Sequence, residues 1–227
     1  MAKDNLLRLG KRADPKLPAC VCGGTGYVRV SDEGQGTVSP CAGCASARIV
    51  RQFGGEPQTW ENWHQRPELE TAVKQLRAWF SGWRVDRLWA CLLLAPKAKD
   101  NFGSGKSHAC QATAHEWASR GFGVRYVVWE EHLERLREQF DNDQARVVPA
   151  ADFDGLVILD DVGTEKDTDW ALEQLTGVTG WRYRHALPTV ITTNLDPDHF
   201  RDRYPRLYSR CHEGVVIPWW APDWRRR

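Results

Sequence analysis

Two hydrophobic rhythms alternate along the chain from about residue 68 onward. In "ELETAVKQLRAWF", Leu69, Ala72, Val73, Leu76, Trp79 and Phe80 recur at helical spacing. The run "LWACLLLA" is continuously apolar and predicts a buried strand. A helix follows in "GKSHACQATAHEWASRG", with Gly121 as its stop. "GVRYVVW" predicts a strand, "EEHLERLREQF" an amphipathic helix, "LVILDD" a strand and "TDWALEQLTGVTGWRYRH" a largely helical stretch. "PTVITTN" is again a strand, "DPDHFRDRYPRLYSRC" is helical, and "GVVIPW" is a last strand. Strands and helices that alternate in this way predict a parallel sheet covered on both faces, an α/β three-layer sandwich. No internal repeat or low-complexity tract interrupts it.

The first 55 residues break the pattern. They are rich in Gly, Pro and Cys and show almost no helical periodicity. Two cysteine pairs, Cys20 with Cys22 in "CVCGGTGYV" and Cys41 with Cys44 in "CAGC", lie about 18 residues apart, a spacing that wraps one tetrahedral Zn²⁺. "GYVRV" and "GTVSP" read as a short hairpin between the pairs. So small a segment buries little surface, so metal would supply its folding energy. Four ligands close such a site, which makes it a docking module and not a catalytic one. Reduced spare thiols or a redox pair are the alternatives. The expected division is a zinc module over 1–55 and an α/β domain over 56–227.

Composition narrows the class. The 227 residues carry a net charge of +1, so nucleic-acid binding must come from local patches. The C-terminal Arg225, Arg226 and Arg227 form a small basic tail that fits a solvated terminus. No run approaches the roughly 20 apolar residues of a membrane helix, and "MAKDNLLRLGKR" lacks a signal-peptide core. A cytoplasmic protein is expected, with its seven cysteines reduced. Cys91, Cys110 and Cys211 sit in apolar or helical context and read as buried, inert thiols. Most of the 12 tryptophans read as core, and His64 and His108 as ordinary polar residues.

The chemistry gathers where strands end. After "LWACLLLA" comes "PKAKDNFGSGKS", which opens a helix as a phosphate loop does. Backbone N–H groups of Gly103, Ser104, Gly105, Lys106 and Ser107 would face the phosphates of a nucleotide. Lys106 adds a cation, and the Ser107 hydroxyl suits Mg²⁺. The usual pattern has a glycine where Asp100 stands, and "KAKDNF" reads as an insertion into the loop's first half. In "LVILDDVGTE", Asp160 is assigned to Mg²⁺ and Asp161 to the water. Asn194, with Thr192 and Thr193, ends a third strand beside the phosphate. Arg206 and Arg210 in "YPRLYSRC" are candidates for reaching a neighbour's γ-phosphate, or simple surface ion pairs.

"ILDDVGTE", "PTVITTNL" and "RLYSR", in this order after a phosphate loop, resemble the bacterial replicative helicase loaders of the DnaC/DnaI type, a branch of the AAA+ ATPases. The resemblance covers about residues 55 to 227. It implies an ASCE-type sheet without a C-terminal lid domain. It also implies Mg-ATP binding, slow partner-stimulated ATP hydrolysis, a replicative helicase and single-stranded DNA as partners, and a homo-oligomer. Lys106 and Ser107 then belong to Walker A, Asp160 and Asp161 to Walker B, Asn194 to sensor 1 and Arg210 to the arginine finger. Some such loaders resemble this layout in carrying an N-terminal zinc module that contacts the helicase. A transposition helper of the IstB type shares the core, and a non-hydrolysing replication adaptor is a further reading. "GWRYRH" either stacks Trp181 and Tyr183 on bases while Arg182 and Arg184 track phosphates, or turns its aromatics to the core and its arginines to solvent.

Overall fold

The computed structural model describes residues 20–23, 27–32, 35–41, 43–44, 47, 58–64, 66–86, 89–94, 102–120, 122–141 and 150–223. The basic tail and the loop residues Lys97, Lys99 and Asp100 lie outside them.

The predicted hairpin forms. Strands β1 (Tyr27–Asp32) and β2 (Gln35–Pro40) pair antiparallel, from Tyr27 against Pro40 to Asp32 against Gln35.

The sheet domain begins with a 3₁₀ turn, Pro67–Leu69, that runs into helix α1 (Glu70–Asp86). Then follow β3 (Ala90–Leu94), α2 (Lys106–Ser119), β4 (Val124–Val128), α3 (Trp129–Asp141), β5 (Leu156–Val162) and α4 (Asp169–Arg184). Strand β6 (Thr189–Thr193), helices α5 (Pro197–Arg203) and α6 (Pro205–Cys211), and β7 (Val215–Pro218) complete it. The single helical stretch expected over 196–211 is thus two helices. Tyr204 precedes Pro205, a proline neighbour is pushed out of helical backbone, and Tyr204 sits at φ −129, ψ 58 between them.

The five strands β3 to β7 are all parallel, in the order β4-β5-β6-β3-β7. Strand β6 therefore lies between the strand that leads to the phosphate loop and the strand that ends in the acid pair. Helices α1 and α2 cover one face through Leu76, Phe80, Cys110 and Trp117; α3, α4, α5 and α6 cover the other through Leu133, Leu175, Phe200 and Leu207. Every residue of β3 and β6 is buried; β3 is an unbroken apolar run, whereas β6 carries three buried threonines, Thr189, Thr192 and Thr193. Cys91, Cys110 and Cys211 are buried, and burial pushes their thiols above the ordinary range. No described helix is long and apolar enough to cross a membrane.

Candidate functional site

The expected phosphate loop turns on two glycines with left-handed backbone, Gly103 (φ 66) and Gly105 (φ 91), and Gly105 caps α2. Each is required by its surroundings. A Cβ on Gly103 would run into the Asp223 side chain, and one on Gly105 would come within 3.2 Å of the Trp63 ring. The Ser104 carbonyl accepts from Arg66 Nη1 at 3.0 Å and from Trp219 Nε1 at 3.3 Å. The loop is thus braced from two sides, by Trp63 and Arg66 and by the segment after β7. Trp63 stands against His108 on α2, with ring centroids 4.9 Å apart. These braces gave no motif signal in the sequence; they come from segments remote in the chain.

The acid pair sits at a break in the β5–β6 register between Leu159 and Val162. Both oxygens of the buried Asp160 are engaged: Oδ1 accepts from Thr192 Oγ1 at 2.6 Å, and Oδ2 accepts from Tyr126 Oη at 2.5 Å. Burial and the Asp160 charge hold the Tyr126 phenol well above its ordinary pKa, so it remains a donor. Thr192 Oγ1 in turn accepts from the backbone N–H of Asp161 at 2.9 Å. Asp161 has left-handed backbone (φ 61), and its Oδ1 accepts from Asn194 Nδ2 at 2.6 Å. Burial and the neighbouring Asp160 raise its pKa above the usual carboxylate value, against the opposing pull of Lys106.

Lys106 is buried, and its Nζ lies 3.4 Å from Ser104 Oγ. Desolvation pushes its pKa down to about 8, even though Asp161 and Asp160 favour its charge. The structure thus brings Lys106, Asp160, Asp161, Thr192 and Asn194 together at the carboxyl edge of the sheet. Asp196 caps α5, accepting from the N–H groups of Asp198 and His199. Tyr126 escaped the sequence reading, because only the β4-β5 adjacency puts its side chain beside Asp160.

Arg210 lies elsewhere. It lies in the last turn of α6, next to Trp89, whose Nε1 donates to the Arg210 carbonyl at 3.0 Å just before β3 begins. Its guanidinium rests over the Tyr183 ring, 4.8 Å from the centroid. That is the amino edge of the sheet, opposite its own phosphate loop. Arg206 and Arg210 both line a cavity of about 640 Å³ between α4 and α6, with Leu172, Leu175, Tyr204 and Leu207.

Neither expected arrangement of "GWRYRH" holds. Arg182 is fully buried and donates to the carbonyls of Ala150, Phe153, Gly155 and Pro188 and to Thr189 Oγ1. Trp181 is 40 % exposed and stacks on His185 with ring centroids 4.2 Å apart. Tyr183 Oη donates to Glu213. The loop before β5 offers carbonyls that need a donor, and a guanidinium supplies five in one plane.

The four cysteines of the first segment also converge. The sulfurs of Cys20, Cys22, Cys41 and Cys44 all lie within 4.8 Å of one another, and Cys20, Cys22 and Cys44 are mutually 3.4 Å apart. A tetrahedron with metal–sulfur bonds of about 2.3 Å has edges of about 3.8 Å, so the set suits a thiolate-bound metal. Hydrogen bonds shared with Cys20 and Cys22, together with burial, push Cys44 up to about 12, while backbone N–H donors, first that of Cys44, hold Cys41 below its ordinary value. A divalent cation would favour four thiolates together.

No family model matches the chain. The replicative helicase loader DnaI of Bacillus subtilis is 27 % identical over 118 residues, 51 % of this chain and 37 % of DnaI. The crystal structure of the DnaC helicase loader superimposes with a TM-score of 0.60 at 18 % identity, over 72 % of this chain and 97 % of that one. The chain has the AAA+ fold. A replication initiator with that fold, DnaA bound to AMPPCP and single-stranded DNA, superimposes with a TM-score of 0.62 at 18 % identity, over 74 % of this chain and 51 % of that one. Within the AAA+ fold the chain resembles the helicase loaders of the DnaC/DnaI type, as its motifs suggested. It spans 37 % of the length of each of the first two curated relatives that it matches.

Proposed function

We propose that the chain is an ATP-driven helicase loader for DNA replication. One observation carries this reading: cation, acids and amide meet at the carboxyl edge of an AAA+ sheet, while the arginine sits at the opposite edge. In this reading Gly103, Ser104, Gly105, Lys106 and Ser107 hold the ATP phosphates, as the likeness to an AMPPCP-bound initiator supports. Mg²⁺, when bound, would neutralise phosphate charge. Asp160 and Ser107 are its holders, since each Asp160 oxygen keeps a lone pair beyond its one hydrogen bond.

Asp161 and Asn194 orient the water that adds to the γ-phosphorus as the bond to the ADP oxygen breaks. Asp161 takes the water's proton, and its raised pKa makes it a better base. Asn194 fixes one of its oxygens and leaves the other for the water. Arg210 serves the next copy in a homo-oligomer, because its own phosphate loop is at the far edge of the sheet. A zinc module over 1–55, with Zn²⁺ on Cys20, Cys22, Cys41 and Cys44, docks the helicase, and the 56–227 domain engages single-stranded DNA.

Capture of a replicative helicase by the purified chain, with and without ATP, tests the reading. Capture that ATP modulates, and that Cys41→Ser abolishes, is expected; no capture in either state would refute the loader assignment.

A further inference from the structure

We propose that Glu165 is a positioning residue that ties each chain's acid pair to the arginine helix it presents to its neighbour, an inference that rests on the trans-acting reading of Arg210. Glu165 lies four residues beyond Asp161 and is almost fully buried. Its Oε2 accepts from the Gly163 N–H at 2.7 Å, and its Oε1 accepts from Tyr204 Oη at 2.5 Å. One carboxylate thus grips two elements. The first is the turn after the acid pair, where Gly163 has φ 104 and Thr164 Oγ1 donates to the Asp161 carbonyl at 2.9 Å. The second is the hinge between α5 and α6.

Arg203 doubles the link. Its Nη1 donates to the Gly163 carbonyl at 3.1 Å and its Nη2 to the Glu165 carbonyl at 2.9 Å, and it pairs with the Glu165 carboxylate at 3.7 Å. Tyr204 is the residue on which the chain breaks from α5 into α6, so the direction of α6 follows its placement. Tyr204, Arg206 and Arg210 all line the cavity between α4 and α6. A shift at Asp161 when its pocket fills would therefore pass through Glu165 to the helix that carries Arg210. A carboxylate is suited to this task because it accepts from both sides at once, whereas a neutral amide would have to turn its nitrogen toward one donor.

The test mixes two variants. Lys106→Ala chains can supply Arg210 but cannot hold ATP; Arg210→Ala chains can hold ATP but supply no arginine. Glu165→Gln is added to one partner at a time, under conditions in which the chains assemble. Hydrolysis by the mixture is expected to fall about tenfold with Glu165→Gln in either partner, while the Arg210→Ala, Glu165→Gln chain binds ATP within about twofold of its parent. A fall only when the ATP-holding partner is changed would make the role local and overturn the proposal. Weakened ATP binding would overturn it too, by placing Glu165 in the nucleotide pocket. Tyr204→Phe in the arginine-supplying partner removes one hydroxyl and should fold normally. Hydrolysis is expected to drop several-fold there, and an unchanged rate would count against the link. If the parent mixture is silent, the trans reading fails before Glu165 is touched, and this inference falls with it.

Discussion

At the carboxyl edge of the sheet, Asp160 and Asp161 are held by Tyr126, Thr192 and Asn194 from two flanking strands. At the amino edge, Arg210 leans on one aromatic ring. The first arrangement is held in place by its hydrogen bonds, which on the proposed reading would preorganise it for reaction. The second is a cation whose guanidinium makes no hydrogen bond among the described residues. Arg182 on the same edge shows the alternative, with its guanidinium spread over backbone carbonyls and one hydroxyl. An arginine meant for structure is saturated and buried, and one meant for a partner is left accessible. On the proposed reading, the contrast fits Arg210 to a contact between chains.

The contrast can be broken by substitution. Arg210→Ala should lower assembled hydrolysis by about a thousandfold while ATP still binds, since an arginine at the transferring phosphoryl group has effects of that order; steady-state kinetics with calorimetry reads both. Lys106→Ala should weaken Mg-ATP binding by about a hundredfold or more, through loss of a desolvated cation against phosphate. Arg182→Met should leave ATP chemistry in place but cost about 3 kcal/mol of stability, because it strands several buried carbonyls; denaturant unfolding measures this.

The smallest effect is a pH dependence. Free Lys106 has a pKa of about 8, so it is charged below that pH and affinity should be flat there. Above it, binding must take up a proton, and affinity should fall by up to about tenfold per pH unit until the lysine of the bound state also titrates. Calorimetry in buffers of different ionisation enthalpy detects that proton.

Much of this was legible in the sequence, for reasons that differ by element. Buried parallel strands such as "LVILDD" announce themselves by unbroken apolar runs, and an acid pair at the end of one is visible as a pattern. Pairs of close cysteines likewise mark themselves. Partners supplied by neighbouring strands were not legible: Tyr126 reads as one more strand residue until the order β4-β5-β6 puts it against Asp160. Glu165 and Tyr204 are 39 residues apart, and nothing in either local pattern announces their contact. Arg182 misled because a helical arginine beside aromatics looks like a surface residue, and only the loop folded over it shows otherwise. The split of the last helical stretch is marked in the sequence by Tyr204-Pro205, since the residue before a proline is disfavoured in helical backbone.

On the proposed reading, a complete hydrolytic site is made by two chains, one giving the carboxyl edge and the other Arg210. Mixing equal amounts of Lys106→Ala and Arg210→Ala chains, each inactive alone, tests it most directly. In a head-to-tail assembly about a quarter of the junctions then join an intact phosphate loop to an intact Arg210, so hydrolysis should return to about a quarter of the unmodified rate. A mixture as inactive as its parts, in chains that still assemble, would contradict the claim.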